Sequence, residues 1–68
     1  MDEAKFHEFK IDLPFTVALR KVEEIMGNRL YYLHNRAGGS DWCVRHNQGR
    51  VYVQVRDARM STFLKLKL

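Results

Sequence analysis

Residues 40–57 read SDWCVRHNQGRVYVQVRD, two alternating runs joined across one glycine-containing turn. Successive side chains of an extended chain point to opposite faces, so this stretch predicts a β-hairpin with one apolar face. A two-residue Gln48-Gly49 loop pairs Val44 with Val53 and Trp42 with Val55 across that face, and leaves Arg45, Tyr52 and Arg56 together on the other. A bulged Asn47-Gln48-Gly49 turn would slip the register by one and set Cys43 and Arg45 against Val53 and Val51. That match of faces is poorer, and the two-residue loop is preferred.

The rest of the chain is read around this hairpin. Residues 5–13, KFHEFKIDL, place His7, Phe9, Ile11 and Leu13 on one side and Glu8, Lys10 and Asp12 on the other, which is the period of a half-buried strand. Pro14 ends that ladder and suits a first helical turn. Phe15, Ala18, Leu19, Val22, Ile25 and Met26 then recur at helical spacing, predicting an amphipathic helix of about three turns that Gly27 stops. On its polar side Arg20 is spaced to meet Glu23 or Glu24. Residues 29–34, RLYYLH, favour a short strand, and the following NRAGGSD has the composition of a loop. The final residues 61–68, STFLKLKL, alternate Leu64, Leu66 and Leu68 with Phe63, Lys65 and Lys67; they read as a terminal strand, although a terminal helical turn has the same short length. The expected fold is α+β, a small, mostly antiparallel sheet in β-α-β-β-β-β order covered by one amphipathic helix.

At 68 residues the chain makes one domain, residues 1–68, near the size at which a single core only just offsets chain entropy. Its single cysteine, Cys43, excludes an intrachain disulfide and fits a reducing compartment, most simply the cytoplasm. The charged start MDEAKFHEFK lacks the apolar stretch of a signal peptide, and no run approaches membrane-spanning length, so no membrane partner is expected. The net charge of +4 is unevenly spread: residues 1–28 carry four Lys/Arg against six Asp/Glu, and residues 29–68 carry eight against two. A basic, strand-rich second part suits nucleic acid or an acidic protein surface, and equally keeps strand edges soluble.

Residue types and spacings argue against catalysis and cofactors. Cys43 and His46 stand three apart on a strand and so point to opposite faces, and His7 and His34 are remote; no metal or cofactor is expected. The same geometry separates Cys43 from a histidine base. Glu23 and Glu24 lie on a solvent-facing helix surface, and Asp41 and Asp57 flank basic strands, so none reads as a paired acid and base. The Ala37-Gly38-Gly39-Ser40 segment lacks the lysine and following helix of a phosphate-binding P-loop. The expectation is a non-enzymatic module.

What remains is a basic and aromatic constellation: Arg29, Tyr31, Arg36, Arg45, Arg50, Tyr52, Arg56 and Arg59. Guanidinium forks suit phosphate oxygens and a tyrosine ring suits a base, so Arg36, Arg45, Arg50, Arg56 and Arg59 with Tyr52 form the candidate binding set. Gly39-Ser40, Arg45-His46, Gly49-Arg50 and the alternating Val51, Val53 and Val55 also resemble the central hairpin of HicA-type toxins, small ribonucleases with a fold similar to double-stranded RNA-binding domains. The resemblance covers about twenty residues and implies a hairpin that faces RNA. The histidine that follows Gly-Ser in that family falls on Asp41 here, so acid–base cleavage does not carry over with it. The family would also place a helix after its third strand.

Two classes of function fit: nucleic-acid binding through the basic hairpin face, or an inhibitor or accessory protein, of the kind phage and mobile-element genes often encode, that binds a host protein. In the second case an edge strand at residues 62–68 would augment a partner's sheet or pair with a second copy. A HicA-like ribonuclease is the third reading.

Overall fold

The computed structural model describes residues 6–68; Lys5, the first residue of the expected N-terminal strand, lies outside them. The chain runs β1 (His7–Ile11), α1 (Phe15–Met26), β2 (Tyr31–Leu33), β3 (Arg36–Gly38), β4 (Trp42–Asn47), β5 (Arg50–Val55) and α2 (Ala58–Lys67). Its five strands form one antiparallel sheet in the order β1-β5-β4-β3-β2. The fold is α+β, as the alternating and helical periods predict.

The hairpin adopts the preferred register. Val44 lies opposite Val53, Trp42 opposite Val55 and Arg45 opposite Tyr52. Gln48 and Gly49 have φ of 53° and 80°, so both turn residues are left-handed, as a two-residue turn needs to match strand twist. β1 then pairs with the outer side of β5, Phe9 against Val53 and Lys10 against Tyr52. The first strand therefore extends the hairpin sheet from across the chain.

Period-two patterning puts Val44, Val51, Val53 and Val55 on one face, where they close a core with Ala18, Leu19 and Val22 of α1 and Leu64 of α2. Both helices thus cover the same side: α1 packs on β4, and α2 lies over β1 and β5. α1 begins after Pro14, whose carbonyl accepts from the Ala18 N–H at 2.9 Å, and ends at Gly27, whose φ of 108° favours glycine. The expected Arg20 pairing with Glu23 or Glu24 does not form. Glu23 instead takes Arg29, beyond the helix end, at 2.6 Å through Nε, with the backbone N–H of Arg29 donating to the same carboxylate. The backbone turn at Gly27 brings Arg29 back toward the last helical turns, where its main chain and its side chain both reach the carboxylate.

Two expectations are corrected. The glycine-rich segment after residue 34 is not all loop, because Arg36–Gly38 is strand β3, pairing with β2 and β4. Its centre, Ala37, is fully buried in the core, and the missing side chain of Gly38 leaves room for the Tyr31 hydroxyl and the Trp42 carbonyl. Glycine here serves close approach rather than flexibility. The second correction is the C-terminus: of residues 62–68, expected as an edge strand, all but the capping Leu68 belong to helix α2, so the sheet has two covering helices instead of one. Asp57 caps that helix by accepting the Arg59 N–H at 3.0 Å, and burial follows the helical spacing of Met60, Ser61, Leu64 and Leu68 rather than leucine alternation. Residues 62–67 therefore present no strand edge in this fold.

Candidate nucleic-acid interface

With both helices on one side, the other face of the sheet carries no covering element among the described residues. Strand parity delivers to it Glu8 and Lys10 from β1, Arg50, Tyr52 and Gln54 from β5, Cys43 and Arg45 from β4, Arg36 from β3 and Tyr31 from β2. Arg56, just past β5, is joined to the same face through Asp41: its backbone N–H donates to the Asp41 carbonyl at 3.0 Å and its Nε lies 3.5 Å from the carboxylate. Five of the six candidate binding residues, Arg36, Arg45, Arg50, Tyr52 and Arg56, are thus brought to one surface. Arg59 is not, because it sits in the first turn of α2 in the helix layer. Arg29 is likewise removed, held by Glu23 with its guanidinium 5.0 Å from the Tyr32 ring. The Arg29 guanidinium also holds the Glu23 carboxyl below its usual range.

Arg45 is the centre of the face. Its Nη2 donates to Glu8 at 2.7 Å, and its Cζ lies 4.6 Å from the centre of the Tyr52 ring directly opposite. Gln54 donates to the same Glu8 oxygen at 3.1 Å, so the carboxylate ties β1 to β5 and β4. Directly across the next ladder, Arg36 faces Arg45. Like charges at directly opposed strand positions destabilise a sheet unless each finds another partner, and Arg45 has Glu8 and the Tyr52 ring. Beside Arg36, the Tyr31 hydroxyl raises the guanidinium pKa further. Burial pushes the Tyr31 phenol up, the adjacent Cys43 thiol adds to the effect, and Arg36 opposes it.

Cys43 is buried, as expected of a small strand thiol, and lies on the opposite face from His46, whose ring packs on Phe15 at 4.5 Å. Among the described residues no group of three or more His, Cys, Asp or Glu gathers where a metal could sit, and no helix is long and apolar enough to cross a membrane. Asp41 is exposed and occupied with Arg56.

Sequence reasoning missed Glu8 and Lys10 as part of this surface. Their alternation with Phe9 and Ile11 shows that they share a face, but only the pairing of β1 with β5 shows whose face it is. Nothing in a local pattern encodes that long-range choice. The face gathers Lys10, Arg36, Arg45, Arg50 and Arg56 against Glu8 and Asp41, with Tyr52 at its centre and Tyr31 on its edge strand. Comparison of the chain with protein-family models, curated proteins and solved structures yields no match.

Proposed function

We propose that this protein binds single-stranded nucleic acid across the helix-free face of its sheet, with Arg36, Arg45, Arg50 and Arg56 contacting phosphates and Tyr52 offering a stacking surface. The observation that carries this reading is the Arg36–Arg45 pair, two cations directly opposed on an open face. Arg45 has one carboxylate, Glu8, for a partner and Arg36 only a tyrosine hydroxyl, so a phosphate lying across the two strands can take charge-assisted hydrogen bonds from both. A single strand fits better than a duplex. Among the described residues no helix or ribbon projects from this face to enter a groove, whereas an open sheet with tyrosines and arginines can receive unstacked bases and their backbone together.

The reading is of binding without hydrolysis. Asp41, which aligns with the histidine position of HicA-type toxins, is a carboxylate ion-paired to Arg56 at 3.5 Å, not an imidazole. Fluorescence anisotropy with a labelled single strand and with duplex RNA and DNA of equal length, across a salt series, tests the proposal. Single strands should bind tightest and weaken steeply with salt, by about 0.7 in the logarithmic slope per phosphate neutralised. No binding at low salt would discard it in favour of a protein partner, for which the exposed Tyr32 and Leu33 of edge strand β2, with Leu30 just before it, would be the docking surface.

Glu8 is the internal competitor for Arg45. Replacing it by Gln keeps the shape and removes the negative charge, so Glu8→Gln should tighten single-strand binding about threefold. Folding stability should change by less than about 1 kcal/mol, since the ion pair is partly solvated. Weaker binding in this variant would mean that Glu8 positions Arg45 rather than competing for it.

A further inference from the structure

A cleft of about 470 Å³ opens at one end of the sheet, between the β1–α1 connection and the tip of the β4–β5 hairpin. Lys10 and Arg50, both residues of the helix-free face, are with Asp12 among its exposed lining residues, and Ile11, Phe15 and His46 are half-buried ones. The Phe15 and His46 rings are packed at 4.5 Å and give it an aromatic wall. This volume falls within the range of about 300–1,000 Å³ typical of small-ligand sites, and exposed cationic groups beside half-buried apolar and aromatic ones match a nucleotide, with phosphate outside and base within.

We infer that the cleft seats the terminal phosphorylated nucleotide of a bound single strand, an assignment that rests on the nucleic-acid reading of the open face. Lys10 and Arg50 link the two sites, because each belongs to the face by strand parity and to the cleft by position. A strand lying across the arginines thus reaches the cleft at its end. A terminal phosphate monoester carries about −1.5 to −2 charge at neutral pH, against one for each internal diester, so a cleft with two cations prefers the end to the middle of a strand. Asp12 repels phosphate on its own side and directs it toward Lys10 and Arg50.

The test compares one labelled single strand in three forms, with a 5′-phosphate, with a 3′-phosphate, and with hydroxyls at both ends. One phosphorylated form should bind about tenfold tighter than the hydroxyl form, the scale of a charge-assisted hydrogen bond. In the Lys10→Ala, Arg50→Ala double variant that ratio should fall to about one, while the hydroxyl form still binds, more weakly than to the unaltered protein. Both side chains are exposed, so the variant should remain folded, which Trp42 emission would report. Equal binding of all three forms to the unaltered protein would overturn the end-recognition assignment and leave the open-face reading standing. A ratio that survives in the double variant would overturn it too. So would a free mononucleotide monophosphate that binds as tightly as the phosphorylated strand, since the cleft would then serve a free nucleotide. If none of the strands binds at low salt, the reading of the open face falls together with this one.

Discussion

Leu64→Ala should leave the protein largely unfolded at 37 °C, whereas Leu66→Ala should be nearly silent. Leu64 is fully buried and is the residue through which α2 enters the common core, while Leu66 is 81 % exposed. Truncating a buried leucine costs about 2–5 kcal/mol once the residual cavity is included. A single core in a chain this short supplies about 3–5 kcal/mol in total, so the loss is comparable to the whole stability. A surface truncation away from special features changes stability by about 0.5 kcal/mol or less. Urea titrations followed by Trp42 emission and far-ultraviolet circular dichroism would measure both variants. The contrast is also a test of conformation: in a strand, Leu64 and Leu66 would share a face and their replacement would cost similar amounts. Similar losses would therefore contradict helix α2.

The same contrast shows why the C-terminal segment misleads. Leucine at every second position of STFLKLKL imitates a strand, and leucine itself carries no strong strand preference. Two signals for the helix were nonetheless present: Asp57 in a capping position, and Met60, Leu64 and Leu68 at four-residue intervals reaching back beyond the alternating stretch. The central hairpin was legible because its pattern and its turn agree. Two left-handed turn residues fit only one register, and that register is also the one that pairs valine with valine. β3 was hidden because two of its three residues are Ala and Gly, which carry no strand signal of their own; the partners on either side, β2 and β4, impose the conformation. The grouping of Arg45, Tyr52 and Arg56 follows from hairpin parity alone, whereas the approach of Arg36 to Arg45 depends on β3 and the arrival of Glu8 and Lys10 depends on β1. Local alternation assigns a residue to one side of its strand, and only the tertiary pairing decides which residues from distant strands meet there.

Removing Arg45 and Arg56 together should lower single-strand affinity by about 100-fold at moderate salt, at about 1–3 kcal/mol for each charge-assisted hydrogen bond to phosphate that is removed. The logarithmic salt slope should flatten by about 1.4, from two phosphates at about 0.7 each. The fold should persist, because the ion pairs broken, to Glu8 and Asp41, are both partly solvated, and exposed pairs contribute little. The stacking of Arg45 on Tyr52 would also go, freeing the ring for a base and offsetting part of the loss. A charge-matched comparison separates this surface from basic character in general. Lys65→Ala with Lys67→Ala removes the same two positive charges from α2, in the helix layer, where these side chains lie near the Phe9 and Phe63 rings. If the open sheet face is the binding surface, this second pair should cost less than about threefold, the effect of a more distant, solvent-screened charge. Equal losses from the two double variants would mean that the protein attracts polyanions through its overall charge, and that the opposed arginines of β3 and β4 need another explanation.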